Sequence, residues 1–383
     1  MTTSWYTIEP QAPLVFRTAK PFGAGSRDGA NFPWPSSLAG LLRTQIMDDN
    51  GWQPGLSDAQ QEELRAMPVA GPLLARREGD ALTPWLPRPA DALLLLNDDG
   101  GLAYRRLQPA RLPPGCGTDL PAGLLPLLLD GKHKGKPQAG PAYWPLEKML
   151  AWGRGETVTV PGDDVTPWVT ERRTHLAIDR ETLAAQDGKL FQTEGLEFGH
   201  RRIELEGRPA GYSSHDWVLL AQGPHKITPR LVTFGGEGRL SWLAPMATPA
   251  LPAPANLATT LAKGFAVTLI TPALFADGWR PAWLDDRLEG EMPGTEGLRV
   301  RLRAAAVERW QSISGWDLAL WKARPARKAV ASGATYWFEI LPGSPPPTDA
   351  LWLAALSDNP QDRRDGFGIA LPRPWNASLF GDC

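Results

Sequence analysis

Proline and glycine interrupt this chain throughout, each occurring 39 times among 383 residues. Proline lacks a backbone donor and glycine weakens the interior of any regular element, so this frequency implies short elements joined by long irregular connections. Together they make up about a fifth of the chain, below the range expected of low-complexity disorder. With 42% hydrophobic and 21% charged residues, the composition is that of a folded globular protein. The length exceeds what one hydrophobic core usually organises, so two domains are expected. Cys116 and Cys383 are the only cysteines and the five histidines are scattered, so no zinc-ligand spacing and no disulfide framework is present. The start lacks the charged and apolar regions of a signal peptide, and the longest apolar run, Leu93–Leu96, is far too short to cross a bilayer. A soluble, cytoplasmic protein without a membrane segment is expected.

The coarse pattern is strand-initiated. Trp5–Ile8 alternates like a strand and Leu14–Phe16 resumes an extended run. Leu38, Leu41, Leu42 and Ile46 then fall on one face of a helix, which Ser36 or Ser37 is expected to cap. Strand, loop and helix in that order form the first half of a ferredoxin-like unit. Short elements are predicted at 60–67, 92–96, 104–107 and 147–152. Residues 172–178 and 189–193 read as a hairpin, with Asp187-Gly188 as its turn. Strands are expected again at 217–220 and 240–243, flanking a glycine loop. Ala244–Asn256 is rich in Pro and Ala and reads as a linker. A second unit follows, with strands at 266–270, 297–307, 336–340 and 366–371 and a short helix at 351–356. The whole fits a tandem α+β arrangement.

No constellation supports an enzyme. Ser213-Ser214-His215-Asp216 holds the residue types of an acyl-transfer triad, but neighbours in sequence point to opposite faces of a strand, and a polar turn before Trp217 is the better reading. The glycine loop lacks the Gly-Lys-Ser/Thr of a P-loop and the dinucleotide fingerprint. No catalytic residue, metal or cofactor is therefore expected. Basic residues are more informative. The net charge of −2 confines any nucleic-acid site to a local patch. Between Arg299 and Lys328, eight Lys or Arg face two acidic residues, and Arg299, Arg301 and Arg303 alternate as a backbone-tracking row would. Arg17 and Lys20 follow the first extended segments, and Arg43 lies off the apolar stripe of the first helix. Lys132, Lys134 and Lys136 form a flexible basic loop. Gly235-Gly236-Glu237-Gly238-Arg239 can present consecutive backbone N–H groups to a phosphate, with Arg239 adding charge.

Taken in order, these segments resemble the RAMP superfamily of CRISPR proteins, and within it the family of the third subunit of the Cmr complex, the type III-B effector. The resemblance covers nearly the whole chain. It rests on Pro13–Arg17 with Lys20-Pro21-Phe22, Pro35–Arg43, Arg173–Asp179 with Gly188–Glu194, Gly235–Arg239, Ser314–Asp317 and Gly366-Phe367-Gly368. It implies two tandem ferredoxin-like (RRM-like) domains with antiparallel sheets and a projecting β-hairpin thumb. Residues 1–245 would form the first domain, with the thumb at about 170–195 and the glycine loop at 235–238. Residues 246–256 would be the linker and 257–383 the second domain. The resemblance further implies a subunit without catalytic activity that binds the 5′ tag of the guide RNA beside the large polymerase-like subunit and the backbone RAMP subunits. Its thumb would lie across the duplex of guide and target RNA. Carried over, Arg172, Arg173 and His175 would meet RNA, Ile178, Leu190 and Phe191 would belong to the thumb, and Gly235, Gly236, Gly238 and Arg239 would lie on the RNA. Two alternatives stand beside this: a metal-free ribonuclease using His175 to trim guide precursor, and the equivalent subunit of a type III-A complex.

Overall fold

The computed structural model describes residues 3–17, 27–97, 100–129, 135–159, 167–198, 217–224, 227–317 and 322–377. Lys20, Lys132, Lys134 and the Ser213–Asp216 tetrapeptide lie outside them. Antiparallel strands dominate the described residues and helices are few. The chain divides into two units: 1–83 with 166–250 and 312–328, and 84–165 with 251–311 and 329–383. The expected division differs at two stretches. Residues 84–165, expected in the first domain, group with the second unit, and 312–328 group with the first.

The strands and helix that matter for the first unit are β1 (Thr3–Pro10), α1 (Pro35–Asp49), β2 (Ala70–Glu78), β3 (Val169–Ile178), β4 (Ala185–Glu197), β5 (Trp217–Pro224), β6 (Arg230–Thr233) and β7 (Leu240–Pro245). Its sheet runs β6-β7-β1-β5-β2, every neighbouring pair antiparallel. Pairing sets Ile8 opposite Leu219 and Leu219 opposite Leu74, a buried apolar row across three strands. Helix α1 packs its buried Leu38, Leu42 and Ile46 against this sheet. Burying each such side chain stabilises the unit by about 1.5–3 kcal/mol. Gly223 of β5 permits the close approach, because a Cβ there would lie 2.7 Å from Leu42 Cδ1. The helix begins one step earlier than its serines suggest. Pro35 occupies the first turn, where its fixed φ and missing donor cost nothing, and Trp34 precedes it without a side-chain cap.

In the second unit β8 (Phe265–Leu269), β9 (Arg299–Ala306), β10 (Thr335–Ile340) and β11 (Ala370–Pro374) form a sheet in the order β11-β8-β10-β9, again antiparallel. Its core gathers Phe265, Val267, Leu302, Tyr336 and Phe338. Counting only β1, β2, β5 and β7 in the first unit, both sheets share one order: fourth, first, third, second strand. The expected helix at 351–356 is reduced to a single 3-10 turn, Asp349–Leu351, and a short helix forms instead at Pro360–Arg364, capped by the Asn359 side chain.

The second unit also holds a fully buried charge. Asp91 accepts hydrogen bonds from Trp152 Nε1 at 3.1 Å and Arg373 Nη2 at 2.7 Å. Arg106 approaches it to 3.9 Å while its guanidinium lies over the Trp152 ring, 3.6 Å from the centroid. Burial pushes the Arg106 pKa down to about 10; Arg373 adds to the shift and Asp91 opposes it. This cluster fastens the 84–165 stretch to the terminal strand of the second unit.

Candidate nucleic-acid interface

The loop between β6 and β7 is built to approach another backbone closely. Gly235 has φ +91, and a Cβ on it would lie 2.9 Å from Val15 O and 3.2 Å from the Phe16 ring. The Gly236 N–H donates to Val15 O at 2.8 Å, and Phe234 N–H closes the loop on Arg239 O at 2.8 Å. Phe16 meets Phe234 edge to face, with ring centroids 5.0 Å apart. Asn31 Nδ2 holds Phe16 O at 3.1 Å. Leu14 in turn exchanges two backbone hydrogen bonds of 2.8 Å with Leu196 of β4. Segment 14–17, the glycine loop and the base of the β3–β4 hairpin thus form one assembly within the first unit. The glycine loop does not present an unbroken row of amides, as the sequence suggested, because that of Gly236 is committed to Val15.

Two arginines far apart in sequence meet on Glu237 at this assembly, and a third, Arg173, stands on strand β3 of the adjoining hairpin. Arg17 Nη2 lies 3.3 Å from Glu237 Oε1, and Arg239 Nη2 lies 2.7 Å from Glu237 Oε2. Arg173 is bonded to Glu171 at 2.8 Å. That hydrogen bond, with further attraction from Glu171, Glu237 and Glu197, holds the Arg173 guanidinium above its ordinary pKa. Arg239 is nearly buried, and its Nε has no hydrogen-bond partner among the described residues. Guanidinium forks of this kind bind the paired oxygens of phosphates and stay charged at any physiological pH.

The hairpin itself alternates. Arg172, Thr174, Leu176 and Ile178 share one face of β3, opposite Glu194, Gln192 and Leu190 of β4; Arg172 pairs with Glu194 at 2.9 Å. On the other face His175 stacks on Phe191, with centroids 5.1 Å apart, and its Nε2 lies 2.8 Å from Thr193 Oγ1. Leu176, Ile178, Leu183 and Leu190 stand at least half exposed, an apolar concentration unusual for solvent-facing strands. The turn is not Asp187-Gly188. It lies at 179–184, where the Asp179 carboxylate accepts the N–H groups of Glu181 and Thr182 and the Thr182 hydroxyl. These bonds, chiefly those from Thr182, pull the Asp179 pKa below its ordinary value. Asp187-Gly188 instead falls where the register of β4 shifts, between Ala185 and Leu190.

The other predicted cations lie elsewhere. Arg43 donates to Met67 O at 3.1 Å, at the C-terminal end of the helix Asp58–Ala66. Arg299, Arg301 and Arg303 belong to β9 in the second unit and are matched by acids. Arg301 pairs with Glu289, and Arg303, almost wholly buried, lies 3.2 Å from Glu339. Arg299 is the most exposed of the three, 3.9 Å from Glu289. The basic stretch up to Lys328 is moreover divided between the two units. Glu237 was passed over in the sequence, although it sits between two of the glycines singled out, and so were Glu171 and Glu194, the partners of Arg173 and Arg172. Among the described residues no cluster of His, Cys, Asp or Glu is arranged to hold a metal, and no helix is long and apolar enough to cross a membrane.

No curated protein matches the chain in sequence. Among solved structures, the chain is similar to one in the cryo-EM structure of the Type III-B Cmr-beta bound to cognate target RNA and AMPPnP, state 1. The identity is 15% and the TM-score 0.47, over 87% of this chain and 86% of that one. A second similar chain belongs to the Type III-B Cmr-beta bound to cognate target RNA, at 13% identity with the same TM-score and coverage. In sequence, residues 6–375 match the family described as CRISPR-associated protein (Cas_Cmr3). With nearly the whole length matched, the chain belongs to the Cas_Cmr3 family of CRISPR-associated proteins.

Proposed function

We propose that this chain is a non-catalytic, RNA-binding subunit of a type III-B CRISPR effector complex. It binds the 5′ tag of the guide RNA, anchors the large polymerase-like subunit and the backbone RAMP subunits, and supports target-RNA recognition in cytoplasmic antiviral defence, without a cofactor. The observation that carries this reading is the pairing of Arg17 and Arg239 on Glu237 of one glycine loop, packed through segment 14–17 against the base of the hairpin that bears Arg173. Such a cluster suits a polynucleotide backbone in a protein whose net charge of −2 gives no general attraction to RNA. The shared strand order of the two sheets supports two ferredoxin-like domains, and the exposed apolar end of the β3–β4 hairpin supports a thumb.

The test is reconstitution of the complex on guide RNA. Replacing Arg173 and Arg239 together by alanine is expected to weaken assembly by about tenfold or more, since each charged hydrogen bond contributes about 1.5–3 kcal/mol. Unaltered assembly would remove the basis for this interface. The ribonuclease alternative places proton transfer on His175, whose Nε2 is engaged by Thr193 and whose ring is stacked on Phe191. Cleavage of repeat RNA in EDTA that disappears in His175→Ala would favour that alternative.

A further inference from the structure

The position of Glu237 is at odds with a simple anion site. A carboxylate stands where the arginines of an RNA interface are expected to be open, each of its oxygens engaging a different guanidinium. The residue also adopts φ +62, a left-handed conformation that costs a non-glycine residue about 1–2 kcal/mol. Its neighbour Gly238 holds a similar φ of +64 with nothing within 4 Å of a Cβ position. Strain of this kind concentrates where a side chain must be held in one place. The carboxylate is a quarter exposed and Arg17 more so, and an incoming anion can therefore reach the pair from solvent.

We propose that Glu237 is an internal counter-ion that sets the selectivity of the interface: it holds Arg17 and Arg239 in position, and a phosphodiester of the RNA displaces it. This rests on the RNA-binding reading above. A small free anion must break two ion pairs and approach a carboxylate for the sake of one contact. A polynucleotide spreads that cost over several contacts, including those near Arg173 and the hairpin. The carboxylate thus weakens binding of isolated anions more than binding of RNA, and it keeps the arginines ordered in the absence of ligand.

The experiment uses the full chain and a short fluorescein-labelled single-stranded RNA, with anisotropy measured over a range of salt concentrations. Glu237→Gln and Glu237→Gly both remove the charge, while only the glycine also relieves the backbone. Both are expected to bind RNA about three- to tenfold more tightly at low salt. Arg239→Ala is expected to bind more weakly than the unaltered chain. If the Glu237 variants match or fall below the unaltered chain while Arg239→Ala is impaired, the counter-ion role is wrong and the RNA interface stands. An effect confined to Glu237→Gly would point to loop strain and also overturn the proposal. If Arg239→Ala binds as well as the unaltered chain, the RNA interface fails and takes this inference with it.

Discussion

Asp91 lies out of reach of water and is held by Arg373, Trp152 and, at longer range, Arg106. A carboxylate in such a place is tolerated only while its partners remain, and they in turn depend on it. Asp91→Ala would leave two guanidinium groups buried together with nothing between them. The expected loss is about 3–5 kcal/mol, measured by urea unfolding. Replacing exposed Glu156, which meets Arg154 at the surface, should leave the urea midpoint unmoved. At this scale the sequence was partly readable. The glycines and arginines of the candidate interface stood out because each has a chemistry recognisable in isolation. Glu237 did not, since its importance comes from two partners, one of them 220 residues away. The acidic partners of the β9 arginines were hidden for the same reason: alternation puts the arginines on one face, and Glu289 and Glu339 reach that face from neighbouring strands.

The β3–β4 hairpin shows which element-level signals are reliable. Alternation over 172–178 located a strand because one face of β3 is more exposed than the other throughout. The turn was misplaced because Asp-Gly is a strong local signal, yet the side chain of Asp179 supplies a competing set of hydrogen bonds eight residues earlier. Similarly, α1 was legible from its apolar spacing, while its first residue was fixed by Pro35 and not by the serines. Because Ile178 and Leu190 are more than half exposed, converting both to serine should alter stability by no more than about 0.5 kcal/mol each. If the hairpin acts as a thumb, the same variant should bind guide RNA normally. It should also fail to disturb base pairing between guide and target, as read by a fluorescent base analogue beside the hairpin. A variant that unfolds would show instead that these side chains are structural.

Over the whole molecule, 40 basic and 42 acidic residues nearly cancel, so the proposed binding of RNA must rest on few contacts. On the proposed RNA-binding role, three arginines each meeting a phosphate predict a slope of about −2 for the logarithm of affinity against the logarithm of salt. A much steeper slope would mean that a larger basic surface takes part. Composition and length suggested two domains of short strands, and the chain divides into two units whose shares of it differ from that expectation. Local patterns carry no information about which distant segment completes a core, and burial of Asp91 against Arg373 had no counterpart in the local sequence. The division has a consequence for biogenesis. Each unit is assembled from three separate stretches of chain, and the last stretch of the first unit ends at residue 328. A ribosome must therefore deliver most of the polypeptide before either unit has all its parts. The sheet of the first unit has all its strands once Pro245 is made, but residues 312–328 can join that unit only after 251–311 of the second have been synthesised.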